Sequence, residues 1–152
     1  MVQNAEEFEG MEGLPGLLFP FVPHSIESGI LQDSKDEMGG FPVYSVQGQP
    51  GKVWATKPAS ADAVEGGTFL GIASFTTADC MHLGYGQGDQ VNVLKKGRVW
   101  VKVSGEVLAG QAAYVNNSSG KITASSSSAT AITGGVFKSN AADGRLAQLE
   151  IA

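Results

Sequence analysis

The stretch DQVNVLKKGRVWVKV, residues 89–103, alternates apolar and polar side chains, and it most restricts what this chain can fold into. Valine stands at every second position on both sides of the central Lys95-Lys96-Gly97. Side chains of an extended strand point alternately to its two faces, whereas those of a helix return to one face about every 3.6 residues. The pattern therefore predicts two β-strands and excludes a helix in this part of the chain.

The register of these two strands follows from where the valines have to lie. A three-residue loop at Lys95-Lys96-Gly97 places Val93 opposite Val99, and all the valines then share one face. Such a loop consists of a type I turn followed by a residue in the left-handed region, which favours glycine. We therefore predict a β-hairpin whose structural turn residue is Gly97.

The chain from residue 41 onward repeats this kind of pattern at short intervals. Turn signals such as GQPG and NSSG separate the apolar stretches, and 21 of the 152 residues are glycine. Short strands at this spacing are typical of an all-β domain. We predict that residues 41–152 form a small β-barrel or β-sandwich of about nine short strands. Besides the hairpin, the strand candidates are residues 41–47, 52–57, 68–75, 112–116, 121–124, 132–138 and 145–151.

Residues 1–40 differ from the rest and are predicted to form an extended, largely irregular N-terminal arm. Glycine and proline recur in this range, so no helical or strand period is sustained. The arm holds eight acidic residues and one basic residue, a net charge of −7. The seven acidic and nine basic residues of 41–152 give +2, which completes the net charge of −5. The chain is therefore polarised, with an acidic arm and a mildly basic body.

An apolar group lies within this acidic arm. Its members are Leu14, Leu17, Leu18, Phe19, Phe21 and Val22. Segments that stay disordered rarely carry so many large apolar side chains close together. We therefore predict that these six residues bind a partner.

Trp100 falls on the face of the predicted hairpin that the valines do not occupy, between Arg98 and Lys102. Tryptophan and arginine are among the residue types that most often anchor protein interfaces. We predict that a strand, the arm or a neighbouring subunit covers Trp100. The three residues are candidates for an interface.

No group of residues has the spacing that catalysis or metal binding requires. Cys80 and His82 are close in sequence, but nothing orients the histidine toward the thiol, and two ligands do not make a metal site. The glycines of GYGQGD, residues 84–89, lead into a strand, whereas a nucleotide-binding loop leads into a helix. We expect no enzymatic activity, no cofactor and no metal.

Charge and hydropathy argue against two further kinds of partner. A net charge of −5 is unfavourable for binding nucleic acid, whose phosphates attract basic surfaces. No apolar stretch approaches the roughly 20 residues of a membrane-spanning helix. The acidic start MVQNAEEFEG also differs from the basic start of a secretory signal. We expect neither nucleic acid nor a membrane as a partner.

The order of elements in residues 64–151 resembles that of the head decoration, or structural cement, proteins of tailed bacteriophages. The resemblance lies in four stretches: FLGIASF, GYGQGDQVNVLKKGRVWVKV, GEVLAGQAAYVNNSSGKIT and TGGVFKSNAADGRLAQLEI. Each stretch alone is a strand with a turn, so it is their order along the chain that carries the resemblance.

The resemblance implies a structural role on a virus particle. Such proteins bind the outer surface of an expanded head and clamp neighbouring major capsid protein subunits, and we expect a homotrimer in preference to a homodimer. The protein would be assembled in the host cytoplasm and end on the outer capsid surface of the virion. The arm would bind the capsid and residues 41–152 would self-associate, so a chain lacking residues 1–40 is expected to fold without decorating heads.

Two other functions are compatible with the residue pattern. A tail or fibre component built on a small β-domain would have the same composition. A carbohydrate-binding β-domain would need Trp54, Tyr85 and Trp100 together on one exposed concave surface.

Overall fold

The structure is a computed structural model, and it contains nine strands and no helix in the residues that it describes. Those residues are 15–19, 23–37, 39–46, 48–56, 69–74 and 84–152. The strands are β1 (Ser25–Leu31), β2 (Pro42–Ser45), β3 (Lys52–Trp54), β4 (Phe69–Ala73), β5 (Gln90–Lys102), β6 (Ala112–Asn116), β7 (Ile122–Thr123), β8 (Ala129–Phe137) and β9 (Leu146–Ile151). The all-β prediction, with about nine strands, is confirmed.

Five of the strands close into a small barrel, which we call the ring. Its order is β1-β3-β2-β4-β5, and β5 pairs back with β1. The β1–β3 pair is parallel, and the other four pairs are antiparallel. The sequence allowed a β-barrel or a β-sandwich, and these five strands form a barrel.

The remaining strands extend the sheet from β5 in the order β9-β8-β6-β7, and every pair is antiparallel. Strand β7, the last in this order, lies beside the residues that directly follow β5. Ser104, just after β5, donates its backbone N–H to the carbonyl of Ile122 at 2.8 Å, and Val103 forms a parallel bridge with Ile122. β5 is therefore shared between the ring and a second group of strands, β5 to β9.

The predicted β-hairpin with a loop at Lys95-Lys96-Gly97 is wrong. Residues Gln90–Lys102 form one continuous strand of 13 residues. The first part of β5 pairs with β1 and β4, and the part from Gly97 onward pairs with β9. Val93 and Val99 therefore face different neighbouring strands and not each other.

The segment Lys95-Lys96-Gly97 contains a β-bulge where a hairpin turn was predicted. Ser25 of β1 pairs with Lys96, whereas the next residue, Ile26, pairs with Leu94. One residue of β5 is left over between these pairs, which is the defining feature of a bulge. A bulge bends a strand without reversing it, so β5 continues in the same direction.

Gly97 lies directly after this bulge, and it is not a turn residue. Its φ is +129°, a conformation that other residues rarely adopt. A Cβ at this position would also lie 2.7 Å from the Cβ of His24. The predicted conformational need for glycine at this position is thus confirmed, although its place in the fold differs.

The extra residue shifts the alternation of β5 by one position. Val91 and Val93 are buried in the core of the ring, but Val99 and Val101 are buried in a second core together with Leu94. The prediction that all the valines share one face is therefore wrong. The shift allows one strand to supply side chains to two cores.

Each core collects side chains from one group of strands. The ring core consists of Leu31, Phe41, Val43, Val53, Ala55, Ala73, Tyr85, Val91 and Val93. The second core is larger and includes Val107, Phe137 and Leu149. Tyr44 and Ile72 belong to ring strands but pack in the second core, so the two groups of strands are joined by apolar contacts as well as by β5.

Part of the predicted arm of residues 1–40 lies inside the sheet. Strand β1, Ser25–Leu31, pairs with both β5 and β3, and the Leu31 side chain is fully buried. An arm that can be removed without opening the ring therefore has to end before Ser25.

Candidate functional site

The described start of the chain, residues 15–19, lies along β5 as a short additional strand, which we call the arm segment. Leu18 forms an antiparallel bridge with Val99. The N–H of Gly16 donates to the carbonyl of Trp100 at 2.8 Å, and the N–H of Trp100 donates to the carbonyl of Leu17 at 3.1 Å. Backbone hydrogen bonds hold such an added strand with little demand on its sequence.

The side chains of the arm segment cover Trp100. The ring centroids of Phe19 and Trp100 are 5.7 Å apart, and Leu18 packs against the second core. The Arg98 guanidinium carbon lies 5.7 Å from the centroid of the Phe19 ring, within the range of a cation–π contact. The sequence left a strand, the arm or a neighbouring subunit as possible covers for Trp100, and in this structure the arm segment of the same chain lies against it.

The apolar residues of the arm fall into three groups. Leu18 and Phe19 contact the body of their own chain. Leu17 is 39% exposed and is the one described member of the set that faces solvent to this extent. Leu14, Phe21 and Val22 lie outside the described residues. Binding of the arm to a partner stays a prediction, and Leu17 is its most accessible described residue.

Arg98 is held by ionic as well as aromatic contacts. Its Nη2 atom lies 3.3 Å from Glu150 Oε1, and Lys138 Nζ lies 3.3 Å from the other carboxylate oxygen. Burial alone would raise the pKa of the Glu150 carboxyl, but the Lys138 hydrogen bond and the charge of Arg98 outweigh it, and the pKa is lowered. Arg98 is therefore fixed beneath Phe19, while Lys102 at the end of β5 is exposed.

Exposed apolar side chains on β1 were not anticipated from the sequence. Ile26 is 38% exposed and Ile30 is 43% exposed. A groove of about 230 Å³ lies between Glu27 and Ser28 of β1 and the β2–β3 turn, and Ile26 and Ile30 are not among its lining residues. Ile26 and Ile30 occupy same-face positions of the stretch SIESGIL, a pattern that usually predicts a buried face of a strand. In this strand the two isoleucines are exposed instead.

Tyr44 is a buried residue of the second core that carries a polar group. Its hydroxyl has no hydrogen-bond partner among the described residues, and burial raises the pKa of Tyr44 to about 12. The phenol therefore stays protonated at physiological pH. No cluster of three or more His, Cys, Asp or Glu side chains suited to a metal ion occurs in the described ranges. Cys80 and His82 lie outside them.

The three aromatic residues considered for a carbohydrate site do not share an exposed surface. Tyr85 is buried, its hydroxyl donates to the carbonyl of Ser74 at 3.3 Å, and its ring packs against Phe41. Trp100 is covered by Phe19. Tyr85 and Trp100 are therefore not available to form the exposed concave surface that a carbohydrate-binding domain would need. The described part of the chain also has no helix long and apolar enough to cross a membrane.

Replacing Phe19 by alanine is expected to release the arm segment from β5. Aromatic pairs contribute about 1 kcal/mol beyond the area they bury, so amide exchange at Trp100 should become roughly fivefold faster. Hydrogen exchange with mass or NMR detection measures this rate. Leu17→Ala is the control, because its side chain is exposed and its backbone carbonyl is retained. An unchanged rate in Phe19→Ala would mean that the backbone bonds alone hold the segment.

Comparison with known structures identifies the fold. A chain from the capsid of Myoviridae phage XM1 has a TM-score of 0.67 and 19% identity, with 99% of this chain and 98% of that chain covered. The N base of the head fibre gp8.5 of bacteriophage phi29 has a TM-score of 0.47 and 14% identity, with 86% and 95% covered. No curated protein matches the sequence.

The fold is thus one found in a phage capsid, and the family follows from the sequence itself. The model of the structural cement protein family (E217 gp24/Pam3 gp6) matches residues 7–152, and the chain belongs to that family. It is a structural protein of the bacteriophage capsid, and its place is the virion. The resemblance drawn from residues 64–151 is confirmed, and the family match extends it into the arm.

Proposed function

We propose that the protein binds the outer surface of a phage head and stabilises it by clamping neighbouring major capsid protein subunits. The observation that carries the proposal is the match to the structural cement family over residues 7–152. A cement protein has to contact more than one capsid subunit, because a contact with a single subunit cannot resist the separation of two.

Exposed apolar side chains near the N-terminal end of the described chain support this assignment of the binding surface. Leu17 on the arm segment and Ile26 and Ile30 on β1 are each more than one third exposed. The arm segment and β1 lie one after the other along β5. Exposed apolar side chains on adjoining elements suit a protein contact better than scattered exposed residues do.

Self-association would add to the strength of a clamp. An oligomer that contacts several capsid subunits at once gains avidity, because each further contact forms at a high effective concentration. We propose a homotrimer, with a mass of about 47 kDa from three chains of 15.7 kDa. Sedimentation equilibrium distinguishes this mass from that of a dimer.

Binding to heads assembled without this protein tests the proposal. We expect wild-type protein to decorate such heads and to raise the temperature at which they release their contents. Leu17→Asp should weaken binding roughly 30-fold, as expected for an interface residue worth about 2 kcal/mol. Leu108→Asp is the matched control, because Leu108 is also exposed, at 47%, but lies outside the arm segment and β1.

Two results would contradict different parts of the proposal. Heads that never bind the wild-type protein, or that gain no stability from it, would refute the clamp. A Leu17→Asp variant that binds normally, while Leu108→Asp fails, would refute the position of the binding surface and leave the clamp standing.

A further inference from the structure

A polar cleft of about 320 Å³ lies between the ring and the second group of strands. The connection between β1 and β2 lines one side of it with Lys35, Glu37, Gly40 and Phe41, together with Pro42 at the start of β2. The other side comes from the second group of strands and includes Lys102, Lys121 and Asp143. An occupant of this cleft would contact both parts of the molecule at once.

The charges in this cleft are not balanced locally. Lys35 Nζ lies 3.7 Å from Glu37 Oε1, and Asp143 accepts a backbone N–H at 2.7 Å. Lys102 and Lys121 form no ion pair with any residue that the structure describes. The lining carries three lysines and two acidic residues, Glu37 and Asp143, a net charge of +1, so a ligand that brings carboxylates is favoured.

The described part of the chain begins beside this cleft. A Cβ on Gly40, which lines the cleft, would lie 3.0 Å from the backbone nitrogen of Gly16 and 3.4 Å from the carbonyl carbon of Pro15. The arm segment is antiparallel to β5, so continuing from Pro15 toward the N-terminus leads in the direction of Lys102. Extended chain advances about 3.3 Å per residue, so Glu12 is within reach of the cleft.

We propose that the cleft binds residues 6–12 of the same chain, EEFEGME, through its lysines. This segment contains four glutamates and no basic residue. Its charge is opposite to the net charge of the cleft lining, and its attachment at Pro15 gives it a high local concentration at the cleft. The bound segment connects the ring to the second group of strands. This inference is independent of capsid binding.

Proteolysis of the full-length protein tests the proposal. A protease that cleaves after glutamate should cut slowly after Glu9 and Glu12 while the segment is bound. In Lys102→Gln/Lys121→Gln the same cuts should become roughly tenfold faster, as expected for the loss of two partly exposed ion pairs. The matched control is Lys52→Gln/Lys96→Gln, which removes two exposed lysines outside the cleft, and Lys102→Arg/Lys121→Arg should retain the protection.

Zero-length cross-linking identifies the occupant. A carbodiimide joins carboxylates to amines in direct contact, and we expect links from Glu9 or Glu12 to Lys102 or Lys121. These links should disappear in about 1 M salt, where the screening length falls to about 3 Å. An equimolar mixture of isotopically light and heavy protein shows whether both residues belong to one chain.

The outcomes separate the proposal from its rivals. Links within one chain, together with cleavage that depends on the cleft lysines, support it. Links of mixed isotopic mass would show that a second copy fills the cleft, and the proposal would be overturned. It would also be overturned by cleavage rates equal in the cleft and control variants, or by links spread evenly over all exposed lysines. None of these outcomes depends on whether the protein decorates heads.

Discussion

Replacing Gly71 by alanine is expected to lower the melting temperature by about 6–12 °C, as estimated from an overpacking cost of up to about 3 kcal/mol in a chain of this size. A Cβ on Gly71 would lie 2.1 Å from the carbonyl oxygen of Leu94 and 2.9 Å from a methyl group of Val93. Gly71 is on β4, which is held between β2 and β5, so the strand cannot move aside without breaking pairs on either side. Thermal unfolding followed by circular dichroism measures the change.

Gly86→Ala is the matched control for this substitution. The nearest atom to a Cβ on Gly86 is a carboxylate oxygen of Asp89 at 3.6 Å, which is an ordinary contact. The backbone N–H of Gly86, which donates to the same carboxylate, is retained in alanine. We expect a melting temperature close to that of the wild type. Equal melting temperatures for the two variants would show that β4 and β5 are less closely packed than the structure indicates.

Deleting residues 1–31 is expected to abolish the folded ring. The deletion removes β1, the strand that pairs with β5 and β3 to close the ring, together with the fully buried Leu31. Without β1, the first half of β5 loses one of its two neighbours, and the ring core is open to water. Circular dichroism and amide exchange should show unfolding, or exchange over residues 40–56 and 90–96 as fast as in an unfolded chain.

A shorter deletion, of residues 1–14, is the control for this experiment. It leaves the arm segment and β1 in place, so the ring should keep its slow amide exchange. If the chain lacking residues 1–31 instead stays folded with slow exchange, β1 would be a removable part of the arm, as the sequence alone suggested.

The class of fold could be predicted because most strands bury one face and are separated by glycine-rich turns. The predicted strand at residues 112–116 coincides with β6, and the predicted strand at 145–151 differs from β9 by one residue. In both, buried and partly exposed positions alternate, which is the signal that the sequence carries.

The path of β5 could not be predicted from the same kind of signal. A hairpin and a long strand with a bulge show similar alternation, and both favour a glycine with positive φ after the interruption. What distinguishes them is the partner of each half. Val99 pairs with Leu149, and that pairing joins residues fifty positions apart, which a local pattern does not encode.

Strand β1 and the cover of Trp100 also depend on long-range contacts that a local sequence pattern does not encode. Ser25–Ser28 are exposed on both faces, so burial imposes no alternation there and the strand left little trace in the sequence. Partner binding by the apolar group in the arm stays a prediction. For Leu18 and Phe19 the partner in this structure is the chain itself.

The shared strand β5 also determines when the molecule can be completed. Its first half needs β1, near the start of the chain, and its second half needs β9, whose last residue is Ile151. A ribosome that adds roughly 5–20 residues per second takes about 3–10 s to proceed from the end of β5 to the end of β9. We expect the ring to form during that interval, while the second half of β5 stays unpaired on its β9 side until β9 has been made. Newly made chains are therefore most prone to pair with one another during that interval.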